Sequence, residues 1–114
     1  MLAGSYVVTD SEFEALADAA IAEIERAIEA STLDADLEMK GSGVLELEFV
    51  DGARMVINRH SAAREIWVAA PGGGFHFRYD GERWRDTRDG AELFAALSRL
   101  VSAQSREPIT LAPL

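Results

Sequence analysis

No cysteine occurs in the 114-residue chain, which excludes disulfides, thiolate metal sites and cysteine nucleophiles and removes the usual signature of a small secreted scaffold. Histidine is nearly absent as well. The two present, His60 and His76, stand outside any metal-pair spacing and have no cysteine partner, so zinc and catalytic-triad chemistry have no support. Basic residues are few: 11 lysines and arginines face 20 acids, for a net charge of -9. With no lysine- or arginine-rich stripe, such a chain repels phosphate backbones and anionic membrane surfaces. Nucleic acid and membrane are therefore excluded as expected partners, and a cation or a basic protein surface is favoured. No apolar run is long enough to span a bilayer, and no basic segment followed by an apolar one stands near Met1, so a cytoplasmic location is the expectation.

What is present is a strong charge asymmetry. The first forty positions hold Asp10, Glu12, Glu14, Asp18, Glu23, Glu25, Glu29, Asp34, Asp36 and Glu38 against only Arg26 and Lys40, so eight of the nine net negative charges lie there. Apolar residues make up 48% of the chain, enough for one compact domain with one core. Residues 9–114 are read as that domain, and residues 1–8 as a short N-terminal extension without an assigned role.

Phe13, Leu16, Ala17, Ala20, Ile21, Ile24 and Ile28 recur every three or four positions, the buried stripe of an amphipathic helix over residues 10–30. Thr9 followed by Glu12 fits a capping box at its start. From Leu33 the period becomes two: Asp34, Asp36 and Glu38 alternate with Ala35, Leu37 and Met39, and Leu45, Leu47 and Phe49 with Glu46 and Glu48. Gly41-Ser42-Gly43, Asp51-Gly52, Pro71-Gly72-Gly73 and Asp80-Gly81 mark the turns of a strand series. Leu93, Phe94, Leu97, Leu100 and Val101 restore helical spacing, with Asp89 and Glu92 placed as a second capping box. Helix, adjacent strands, helix predicts an α+β two-layer sandwich, both helices on one face of a roughly six-stranded antiparallel sheet. The tail after Gln104 is left unplaced.

Strand alternation assigns Leu45, Leu47, Met55, Ile57, Ile66, Val68, Phe75 and Phe77 to the core and turns Glu46, Glu48, Asn58, Trp67, His76 and Arg78 to the open face. An outward Trp67 among polar groups reads as an interface anchor whose loss leaves folding nearly unchanged, or as the cap of a small surface cluster. On the helix, Glu14, Asp18, Glu25 and Glu29 share one flank. Carboxylates two apart on a strand are about 6.5 to 7 Å from each other, too spread for one cage but able to hold hard cations side by side. The bland alternative is a solvated acidic face. Gly72-Gly73-Gly74 has no following helix or lysine to cradle a phosphate and reads as a turn.

In order and spacing, Thr9-Asp10-Ser11-Glu12-Phe13, Asn58-Arg59, Ile66-Trp67-Val68-Ala69, Gly73-Gly74-Phe75-His76-Phe77 and Trp84-Arg85-Asp86-Thr87-Arg88 resemble the bacterial frataxins, the CyaY family, from Thr9 to Gln104. The resemblance implies the same sandwich and a non-enzymatic role. That role is weak binding of iron (Fe2+/Fe3+) and regulation of iron-sulfur cluster assembly through contact with the cysteine desulfurase and scaffold complex. A monomer is implied, with iron-dependent oligomers left open. Glu25, Glu29, Asp34, Asp36 and Glu38 carry over as metal-ridge positions, with Asp18 added from helical geometry; Asn58, Arg59 and Trp67 match sheet-surface positions for partner contact. No catalytic residue carries over. Arg26 and Ala30 depart from the pattern where some relatives have acids, Glu14 stands where some have histidine, and His60 replaces a familiar glutamine. A ferroxidase or iron-storage activity and a metal-independent adaptor remain the alternatives, and haem ligation by either histidine stays open.

Overall fold

A computed structural model describes residues 8–114; of the expected extension, all but Val8 lie outside the described residues. Val8 itself is buried in the core. Helix α1 runs Asp10–Ala30 and buries Phe13, Ala17, Ala20, Ile21, Ile24, Ala27 and Ile28. Its capping box is formed in both directions: the Glu12 amide donates to Thr9 Oγ1 at 3.1 Å, and the Thr9 amide donates to Glu12 Oε1 at 2.9 Å. Ser31 ends the helix, its hydroxyl donating to the Ile28 carbonyl at 2.7 Å while accepting the Leu33 amide at 3.2 Å.

The strands follow as β1 Ala35–Met39, β2 Val44–Phe49, β3 Arg54–His60, β4 Glu65–Ala70, β5 Gly73–Tyr79 and β6 Trp84–Asp86. They form one antiparallel sheet in the order β1-β2-β3-β4-β5-β6, because each connection is short enough for consecutive strands to pair. At the Asp51-Gly52 turn the Ala53 amide donates to Asp51 Oδ1 at 2.9 Å, and Gly52 takes φ +86, a region glycine enters without penalty. The register aligns Leu45 with Ile57 and Ile57 with Val68, so alternate residues build one apolar face beneath the helices. Each fully buried Leu, Ile or Phe there contributes about 1.5 to 3 kcal/mol. Phe75, expected in the core, is only half-buried at its margin.

Helix α2 spans Leu93–Ser105, and its start corrects the expected capping box. Glu92 is itself the cap, accepting from the Phe94 amide at 2.8 Å and the Ala95 amide at 3.1 Å. Asp89 belongs instead to the preceding turn, where it accepts from the Ala91 amide at 2.9 Å. The cause is tertiary: Arg85 and Glu92 form a β-bridge, holding the chain extended until the helix begins. The tail returns along α2, with Ile109 and Leu111 buried. Ser102 Oγ donates to the Ile109 carbonyl at 2.9 Å and accepts its amide at 2.8 Å; Ser98 Oγ accepts the Leu111 amide at 2.8 Å.

Candidate functional site

The acids of α1 divide according to whether a strand supplies them with a cation. Arg59 is two positions beyond Ile57 on β3 and pairs in register with Ile66, so alternation turns it toward the helices, away from the open face shared by Asn58 and Trp67. Its guanidinium donates to Asp18 Oδ1 at 2.5 Å and to Ser42 Oγ at 3.3 Å, and lies 3.9 Å from Glu14 Oε1. The Arg59 side chain passes over Gly43, where an added Cβ would stand 3.1 Å from Arg59 Cβ. Asp18 thus carries an internal counter-ion. Among the described residues, no cation lies within ion-pair distance of Glu25 or Glu29.

The strand acids are placed differently again. Asp36 and Glu38 lie in register with Glu48 and Glu46 on β2, gathering four carboxylates on the sheet face opposite the helices. Lys40 Nζ stands 3.8 Å from Glu38 and 3.7 Å from Glu46, and Arg54 reaches Glu46 at 3.7 Å and Glu48 at 3.9 Å. Asp36 has no such partner among the described residues, and Asp34, just before β1, lines a groove with Asp51, Gln104 and Glu107. The array expected from sequence is therefore split into a helix flank, a strand patch and a groove residue. Among the described residues, no three His, Asp or Glu side chains are disposed to hold one metal ion. Hard oxygen donors suit iron chemically, but they offer separate surface positions and no closed coordination shell.

On the open face Trp67 is half-buried, with a histidine stacked on each side of its indole. His60 lies at a centroid distance of 3.7 Å and 12°, His76 at 4.5 Å and 10°. The indole Nε1 donates to Glu65 Oε1 at 2.9 Å, while Arg78 bonds Glu65 Oε2 and His76 Nδ1 lies 3.6 Å from the same carboxylate. Glu65 is buried, as a carboxylate can be when this many donors surround it. Trp67 is thus built into a five-residue cluster with His60, Glu65, His76 and Arg78. Sequence reasoning passed over Glu65; the signal available was its position two before Trp67, which places both on one face.

The carboxyls held below their ordinary range lie elsewhere, in caps and turns. Glu12 is lowered by the Thr9 amide and hydroxyl, Asp51 chiefly by the Ala53 amide, and Asp80 by the Arg83 and Glu82 amides. Each fixes a backbone bend.

Residues 6–107 match the family model described as frataxin-like domain. Over 102 residues the chain is 58% identical to the iron-sulfur cluster assembly protein CyaY of Dechloromonas aromatica, covering 90% of this chain and 97% of that one. It is 53% identical over 107 residues to the protein of the same name from Ralstonia nicotianae, covering 91% and 95%. Among solved structures, frataxin from Psychromonas ingrahamii superposes with a TM-score of 0.84 at 34% identity, covering 92% of this chain and 99% of that one. A trimeric frataxin from Saccharomyces cerevisiae, complexed with ferrous, has a TM-score of 0.63 at 24% identity, covering 90% and 91%, and supports the fold alone.

Proposed function

The chain belongs to the frataxin-like family, and from that premise we propose that it is an iron-binding regulator of iron-sulfur cluster assembly that docks on the cysteine desulfurase and scaffold complex. The observation carrying this reading is that, among the described residues, no cation lies within ion-pair distance of Glu25, Glu29, Asp34 or Asp36, whereas Asp10, Asp18, Glu65 and Asp80 are each met by an arginine. Like charges four apart on a helix cost about 0.2 to 0.5 kcal/mol per pair. A cation from outside, whether Fe(II), Fe(III) or an arginine-rich protein surface, relieves that repulsion.

Iron is held weakly and with much of its water retained, at the Glu25 and Glu29 flank and at Asp34 and Asp36. Asp18 and Glu38 take part only in competition with Arg59 and Lys40. Asn58 and Trp67, on the open face, contact a partner. Arg59 acts indirectly, tying β3 to α1 and concentrating the free negative charge toward the C-terminal half of the helix.

The test is desulfurase binding, by calorimetry at low salt, of a Glu25→Gln, Glu29→Gln, Asp34→Asn, Asp36→Asn variant, with an anaerobic Fe(II) titration followed by amide line broadening. Binding falls at least tenfold by this reading (about one such charge contact per two- to threefold), and broadening at residues 25–36 disappears. Binding at parental strength with unchanged broadening overturns it. In cluster reconstitution the same variant loses its influence on the rate.

A further inference from the structure

We propose that the acidic docking surface continues past Asp34 into a groove between the β2–β3 turn and the C-terminal end of α2. There it receives a lysine or arginine together with a neighbouring aliphatic side chain from a basic loop of the partner protein. This rests on the docking role proposed above and extends it to residues outside the helix flank and the strand patch.

The groove has a volume of about 460 Å³, and its walls include Asp34, Val50, Asp51, Gln104, Arg106 and Glu107. That lies toward the lower end of the roughly 300 to 1,000 Å³ of ligand pockets and has room for a lysine or arginine with a neighbouring aliphatic side chain. Its charge is one-sided: three carboxylates face a single arginine. The last turn of α2 carries no basic residue, so the free carbonyls at that helix end add their partial negative charge to the same space. Asp51 is held in place by the Ala53 amide at 2.9 Å and by Gln104 Nε2 at 2.7 Å, leaving an anchored acceptor at the groove mouth. Arg106, the lone base, caps the helix in the left-handed conformation at φ 60 and makes no ion pair within 4 Å among the described residues.

Val50 decides the class of occupant. It is 78% exposed beside the buried Phe49, at a tight turn whose backbone bonds need nothing from its side chain. A scattered exposed valine is ordinary; one bordering a carboxylate-lined groove meets the requirement of a lysine or arginine, whose aliphatic stem packs on apolar surface while its head reaches an acid. A metal ion makes no use of Val50, and an anion is repelled. A basic peptide segment satisfies the valine, the carboxylates and the helix end together.

The experiment is calorimetric binding of the full chain to its cysteine desulfurase at two salt concentrations, using Val50→Ser, Val50→Arg and Glu107→Gln, with Glu25→Gln/Glu29→Gln as the helix-flank control. Val50→Ser weakens binding about fivefold at both salts, as loss of one buried aliphatic contact does. Glu107→Gln weakens it about twofold to threefold at low salt only. Val50→Arg fills the groove with a competing guanidinium and weakens binding at least as much as Val50→Ser. Thermal unfolding of the Val50 variants stays at the parental midpoint, which removes misfolding as an explanation. If the helix-flank control loses affinity while Val50→Ser and Val50→Arg both bind at parental strength, the groove is not part of the interface. If the control also binds at parental strength, the docking role itself is wrong.

Discussion

Replacing Leu111 by alanine isolates the contribution of the C-terminal strap. Leu111 is 3% exposed, and its amide donates to Ser98 Oγ at 2.8 Å, so the side chain is removed from a filled site while the backbone bond can persist. Buried Leu→Ala changes cost about 2 to 5 kcal/mol, the spread reflecting how far the surroundings close the cavity. Leu111 lies in an irregular segment outside the helices and strands, which can move inward, and this places the site near the lower limit, about 2 kcal/mol. For a chain between the size classes where 1 kcal/mol shifts the midpoint by about 4 to 8 °C and about 2 to 4 °C, the expected fall in Tm is about 8 °C. Scanning calorimetry measures it directly, with Leu114→Ala as the control, since Leu114 is 80% exposed. Ser98→Ala, removing the hydroxyl that receives the Leu111 amide, costs about 1 kcal/mol alone. Added to Leu111→Ala it costs less, because both release the same tail. A Leu111→Ala midpoint no lower than that of Leu114→Ala would refute the view that the tail is part of the core.

Gly43→Ala should lower the urea midpoint by an amount equivalent to about 1 to 2 kcal/mol, since position 43 has φ +75 and a Cβ there meets Arg59 at 3.1 Å; an unchanged midpoint contradicts the close approach. Glu65→Ala leaves the Trp67 indole N–H and Arg78 without their acceptor and should cost about 2 kcal/mol in chemical denaturation, while Glu65→Gln, which keeps an oxygen acceptor, should cost less. Equal losses would mean that charge alone matters there. Asp80 is held below its ordinary 3.8 by the Arg83 and Glu82 amides. Its stabilising contribution is therefore complete above 3.8 and lost as pH falls through the lower folded value. The stability difference between parent and Asp80→Asn should be flat near neutrality and shrink in acid, and a difference that grows in acid contradicts the assignment. Glu25→Gln/Glu29→Gln should leave folding intact and raise stability by about 0.2 to 0.5 kcal/mol at low salt; a loss of stability would show that these acids have internal partners.

Several features were legible from residue order alone because they arise from contacts within a few positions. The 3.6-residue stripe from Phe13 to Ile28 and the Thr9-Glu12 cap specify α1, and the observed bounds Asp10–Ala30 agree with them. The period of two, punctuated by Asp51-Gly52 and Asp80-Gly81, specifies a meander, which the sheet order follows. The same parity that turned Trp67 outward also places Arg59 beneath the helices with Met55 and Ile57. Asn58, paired with Trp67, and Arg59, paired with Ile66, therefore lie on opposite faces although they are neighbours in the chain.

Residue order determined which segments coil and extend, how the strands follow one another and where negative charge is abundant, since each depends on local backbone preference and alternation. Tertiary structure alone decided which of those charges remain free. Arg59 meets Asp18 across 41 residues of chain, Glu65 takes Arg78 from the adjacent strand, and the tail returns to Ser98 and Ser102. Long side chains choose partners by proximity after the sheet has twisted and the helices have settled on it, and no spacing along the chain encodes that distance.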